Sequence, residues 1–144
     1  MMKGQKMSME FESRSENESF ARVVAAAFVT RLNPTLEEVD DIKMAVSEAV
    51  TNAVVHGYAS REGYPIFMEC EIQGKEFWVT IMDKGVGIQN IEKAREPMYT
   101  TKPDQERAGM GFTFMETLMD EVQVFSKVNL GTTIKMCKKI DSIY

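Results

Sequence analysis

Glu48, Asn52 and His56 recur every four residues in a segment with helical periodicity. Steps of four advance about 400°, so the three share one helix face with a slow drift. Val50, Ala53 and Val54 fall towards the other side. An amide oxygen suits a hard ion such as Mg²⁺, and a carboxylate can take a proton from a hydroxyl. Taken alone, the same spacing also describes a polar helix face in water. A second cluster, Asp83-Lys84-Gly85-Val86-Gly87, directly follows Val79 and Ile81 of an expected strand. Glycines there let the backbone approach a ligand and adopt positive φ. An aspartate at a strand end can accept a hydrogen bond from an exocyclic amine. The cluster lacks the Gly-Lys-Ser/Thr of a P-loop, and by itself it is an ordinary loop. Gly109-Met110-Gly111 opens a short helix, and a helix N-terminus presents free N–H groups to phosphates. Just before it lie Thr100, Thr101, Lys102 and Arg107. Hydroxyls and cations of this kind can close over phosphates or can line a solvated loop. Gly131-Thr132-Thr133, on its own, is a hairpin turn entering a β-branched strand.

The surrounding elements follow from periodicity and caps. Met7, Met9 and Phe11 alternate with Ser8, Glu10 and Glu12, which predicts a half-buried strand. Ser15 with Glu18, and Thr35 with Glu38, read as capping boxes opening two helices. The first carries Phe20, Val23, Val24, Ala27, Phe28 and Val29 and stops near Asn33-Pro34. The second carries Val39, Ile42, Ala45, Val46, Ala49, Val50, Ala53 and Val54, with Gly57 as its C-terminal cap. Strands are expected over residues 66–72, 77–82, 122–128 and 132–136, with a short helix over 112–119. Residues 88–107 are poorly patterned. Hairpins within the sheet make it mixed, mainly antiparallel, and the helices then cover one face. The expected fold class is α+β, a two-layer sandwich.

The chain has 144 residues and a formal net charge of −5. A single domain spanning 1–144, with its core at about 7–138, is expected. Such a chain buries roughly 70% of its unfolded surface and needs no disulfide or metal to fold. The acidic balance disfavours a nucleic-acid binder. No apolar run approaches the roughly 20 residues of a membrane helix. Ser8, Glu10 and Glu12 stand where a signal peptide would be apolar, so a cytoplasmic location is expected. Cys70 and Cys137 fit buried free thiols.

In this order, the motifs resemble the Bergerat-type ATP-binding fold shared by gyrase, a heat-shock chaperone, histidine kinases and MutL. That resemblance runs over residues 36–136. The stretches 13–22, 46–53, 56–58 and 100–103 are more specifically similar to the anti-sigma-F serine kinases of sporulation, with likeness from about 10 to 133. This resemblance implies a protein serine/threonine kinase that uses Mg²⁺ and ATP, leaving ADP. It implies two partners, a sigma factor F that is sequestered and an anti-anti-sigma protein that is phosphorylated on serine. It also implies a homodimer formed through the N-terminal strand and helix. By the same resemblance Glu48 is the general base and Asn52 holds Mg²⁺. Asp83 binds the adenine amino group, Gly85 and Gly87 shape that pocket, and Thr132 supports it. Gly109, Met110 and Gly111 cradle the phosphates, with Thr101 beside them and Arg107 on the terminal phosphate. Arg22 belongs to the partner-binding surface, and Thr51 faces the nucleotide. His56 acquires no necessary role.

Overall fold

The computed structural model describes residues 5–96 and 111–141. Five strands form one sheet in the order β1-β2-β3-β5-β4. They are β1 (Gln5–Glu12), β2 (Pro65–Gln73), β3 (Glu76–Asp83), β4 (Glu121–Lys127) and β5 (Gly131–Lys139). Every adjacent pair is antiparallel, so the expected mainly antiparallel sheet is fully so among the described residues. Ile66, Met68, Cys70 and Ile72 of β2, and Phe77, Val79 and Ile81 of β3, are buried at alternate positions. That period of two turns them towards the helices.

The helical layer contains α1 (Glu16–Val29), α2 (Leu36–Thr51), the four-residue α3 (Ile91–Ala94) and α4 (Gly111–Leu118). α2 lies between α1 and α4 and packs on the sheet. It buries Ile42, Ala45, Val46, Ala49 and Val50 at helical spacing. Lys138 of β5 joins the layers: its ammonium lies 3.0 Å from Asp41 and donates to the Leu118 carbonyl at 2.6 Å. Both cysteines are free and buried. Burial pushes the Cys70 thiol up to about 12 and the Cys137 thiol up to about 11, so neither is a reactive thiolate at neutral pH.

The Thr35 capping box is complete: Glu38 N–H donates to Thr35 Oγ1 at 3.1 Å, and Thr35 N–H donates to Glu38 Oε1 at 2.8 Å. Thr35→Ala is expected to lower stability by about 1 kcal/mol, read as a lower urea midpoint at unchanged slope. An unmoved midpoint would contradict the cap. The other expected box does not form. Ser15 makes no side-chain cap bond, and Asn17 Nδ2 instead donates to the Glu12 carbonyl at 2.8 Å. Glu18 is used elsewhere. One of its oxygens lies 4.0 Å from the Arg22 guanidinium and the other accepts from Thr51 Oγ1 at 3.4 Å.

α2 does not end at a glycine in the left-handed region. From Asn52 to Gly57 the helix widens into a π-segment, and Tyr58 N–H donates five residues back to the Ala53 carbonyl at 3.0 Å. The expectation that Gly57 is a C-terminal cap is therefore corrected: its φ is not positive, and its reason is packing.

Candidate functional site

Alternation along β3 continues past Phe77, Val79 and Ile81 to Asp83, so a carboxylate ends a row of core hydrophobes. Asp83 is 3% exposed. Its register partner on β5 is Thr132, also buried. Oδ1 of Asp83 accepts from Gly85 N–H at 2.8 Å, and the backbone N–H of Thr132 also bonds the carboxylate. Burial pushes the Asp83 carboxyl up to about 6, against the opposing pull of those two N–H groups. A buried carboxylate with so raised a value is a functional-site candidate.

The π-segment is pressed directly onto this carboxylate. A Cβ on Gly57 would lie 2.7 Å from Asp83 Cγ, so only glycine lets the helix end come this close. The loop is fastened to the same residue. A Cβ on Gly85 would lie 1.9 Å from the Gly57 carbonyl oxygen, and Val86 N–H donates to that oxygen at 3.0 Å. Gly87, with φ at 76°, has the positive φ expected of the loop and sits against the Lys127 carbonyl. Thr132 Oγ1 lies 2.8 Å from Ser126 Oγ, which accepts from Ile88 N–H at 2.7 Å and donates to the Gly131 carbonyl at 2.9 Å. The Ser126 proton is thereby committed, and the Thr132 hydroxyl is the donor between the two.

Asn52, 8% exposed, begins the π-segment, and Glu48 stands one turn earlier, half-buried. Such widened turns are frequent at functional sites. The widening also alters the expected shared face, because His56 lies inside the segment and no longer follows Asn52 at α-helical pitch. Gly111 is buried at the start of α4, alongside α2. The helical segment that bears Glu48 and Asn52 thus runs on to Gly57, which meets Asp83 and Gly85, and Thr132 pairs with Asp83 in the sheet. Arg22 lies apart on α1, paired with Glu18. The Thr51 hydroxyl donates to Glu18 on α1. Thr101, Arg107, Gly109 and Met110 lie outside the described residues.

Among the described residues, no group of three or more His, Cys, Asp or Glu could hold a metal ion. An ion here would draw on the single amide oxygen of Asn52 together with phosphate and water oxygens. That donor set suits Mg²⁺. Sequence reasoning missed Tyr58, Ser126 and the packing task of Gly57. The signal for Gly57 was its place immediately after a polar helix face and before a bulky aromatic.

Residues 11–138 match the model of the histidine kinase-like ATPase domain. The chain is 54% identical over 142 residues to an anti-sigma F factor of Clostridium novyi (strain NT), covering 99% of each chain. It is 52% identical over 134 residues to an anti-sigma F factor of Anoxybacillus flavithermus (strain DSM 21510 / WK1), covering 93% of this chain and 92% of that one. Among solved structures, the catalytic domain of the histidine kinase ThkA superposes with a TM-score of 0.54 at 16% identity, covering 93% of this chain and 97% of that one. A blue-light-activated histidine kinase of Erythrobacter litoralis gives a TM-score of 0.57 at 17% identity, over 82% of this chain and 40% of that one. These two likenesses speak for the fold alone. The sheet order, the match over residues 11–138 and the identity across nearly the whole length agree: the chain belongs to the anti-sigma F factors of the histidine kinase-like ATPase domain family.

Proposed function

We propose that this protein sequesters sigma factor F in the cytoplasm and, as a protein serine kinase using Mg²⁺ and ATP, phosphorylates an anti-anti-sigma partner. The observation that carries the nucleotide half is the buried Asp83 carboxylate, held against Gly57 at the end of the helix that bears Asn52 and Glu48. In this reading Asp83 accepts from the adenine amino group, with Gly85, Gly87 and Thr132 shaping its surroundings. Asn52 supplies an oxygen to the metal. Gly109, Met110 and Gly111 are assigned to the phosphates, and so are Thr101 and Arg107. A Mg²⁺ ion bound with the nucleotide would neutralise charge on the phosphates.

Glu48 is assigned the proton. The partner's serine Oγ bonds to the terminal phosphorus as the bond from that phosphorus to the bridging oxygen of ADP breaks. The Oγ proton passes to the Glu48 carboxylate, and ADP leaves with the bridging oxygen. A serine hydroxyl is a poor nucleophile, so alignment and a positioned base are what this chain contributes.

Two features support a homodimer through the N-terminal region. β1 is a sheet edge, and the neighbouring α1 exposes Phe20 (57%) and Val23 (58%). Arg22 lies on the same helix, and we assign it to the surface shared by both protein partners. Arg22→Ala is expected to weaken binding of both by about tenfold or more, a loss typical of an arginine hot spot, while ATP binding is unchanged. Size-exclusion chromatography of the mixed proteins with Mg-ATP tests this. Undiminished complexes with both partners would remove Arg22 from the shared surface, and failure of the unaltered chain to retain sigma factor F would overturn the anti-sigma reading.

A further inference from the structure

Tyr58 is the residue that closes the π-segment, and it is 2% exposed. Its hydroxyl makes two bonds to backbone, one at the start of β2 and one just past the end of β3. It donates to the Pro65 carbonyl at 2.6 Å, at the start of β2. It accepts from Lys84 N–H at 2.7 Å, one residue past Asp83. Burial pushes the phenol's pKa up, which keeps the proton needed for the first bond. The two strands joined here are already paired, with Ile66 opposite Asp83. The hydroxyl therefore adds nothing to the ladder itself. What it fixes is the exit of the chain from β3, the peptide that follows the carboxylate. The Tyr58 ring also stacks on Tyr64, with ring centroids 5.2 Å apart, and Arg61 Nε donates to the Tyr58 carbonyl at 3.1 Å. The phenol is thus held at both ends.

From this geometry we infer that Tyr58 is a positioning residue for base recognition: its hydroxyl sets the direction in which Asp83 presents its carboxylate to an exocyclic amine. The inference rests on the proposed reading of Asp83 as the adenine contact. Asp83 is confined on three sides, by Gly57 against its carboxylate, by Gly85 N–H on Oδ1 and by the Thr132 N–H. Gly85 reaches Oδ1 only if the turn at Lys84 keeps its course, and the Lys84 N–H in that turn donates to the Tyr58 hydroxyl. Without that bond the Lys84 N–H and the Pro65 carbonyl lose a buried partner, and the turn relaxes towards water. The carboxylate then loses alignment rather than charge.

The test compares ATP with purine riboside triphosphate, which lacks the 6-amino group, on the full chain and on Tyr58→Phe. The full chain is expected to bind ATP more tightly, because a buried acceptor built for an amine is left unpaired by the analogue. Tyr58→Phe is expected to lose about tenfold in affinity for ATP and less than about twofold for the analogue, which narrows the discrimination. If the variant weakens both nucleotides equally, Tyr58 is only structural and the inference is overturned. If the variant discriminates as well as the full chain, it is overturned too. A full chain that does not discriminate at all removes Asp83 from base recognition, and with it the task assigned to Tyr58. A thermal melt of the nucleotide-free variant accompanies the titration, and a folded variant with intact analogue binding isolates the hydroxyl's effect.

Discussion

Glu48→Gln is expected to bind Mg-ATP as tightly as the unaltered chain and to transfer its phosphate at least about 10²-fold more slowly. Glutamine keeps the size and the helical preference of glutamate, so the half-buried position on α2 loses neither packing nor helix. What it loses is a group able to accept the serine proton. The prediction is informative because binding and transfer are read separately. Nucleotide affinity is measured by titration with the partner absent, and transfer by a single-turnover reaction with the partner present. A variant that transfers phosphate at near-normal speed would remove Glu48 from its role. A variant that no longer binds ATP would place Glu48 in the nucleotide site instead.

Asp83→Asn is expected to act in opposite directions on binding and on stability. For binding, the loss of a charged acceptor inside a buried pocket should cost about 2 kcal/mol or more, so ATP and ADP weaken together by about thirtyfold. For stability the sign is reversed. The Asp83 carboxyl stands at about 6 in the folded chain, above its ordinary value of 3.8, so the folded state holds this proton more tightly than the unfolded state does. The favourable contribution is complete below about pH 4 and is lost as pH rises through 6. At neutral pH the buried charge costs roughly 3 kcal/mol. Asparagine carries no charge, though its one amide oxygen must serve the Gly85 and Thr132 N–H groups in place of two carboxylate oxygens. The nucleotide-free variant should therefore melt higher than the parent at pH 7 and match it near pH 4. Equal melting at both values would mean that the carboxylate is not strained by burial. Unchanged ATP and ADP affinity would remove Asp83 from the adenine contact.

Much of this architecture is legible in the sequence, and the exceptions have physical causes. The strands and α2 carry clean periods, and a period survives whatever the tertiary surroundings do. The Thr35 cap is legible because both of its partners lie within four residues. The Ser15 box was misleading because Glu18, which would have closed it, is drawn across to Arg22 and Thr51. α3 escaped notice because four residues are too few to show a period. Its only signal is Asn90, whose Oδ1 accepts from Lys93 N–H. The π-segment leaves no pattern at all. It exists where Gly57 must meet both Asp83 and Gly85, and contacts between residues so far apart in the chain have no local signature. Asp83 itself could be read inward from the alternation Phe77, Val79, Ile81. Its burial beneath Gly57, and hence its raised pKa, could not.

The proposed kinase activity is tested most directly by incubating the purified chain with Mg-ATP and its anti-anti-sigma partner and reading the partner's intact mass. The account predicts the gain of a single phosphate on a partner serine. A partner of unchanged mass, with ATP still bound to the chain, would contradict it and leave a nucleotide-binding anti-sigma protein without phosphotransfer.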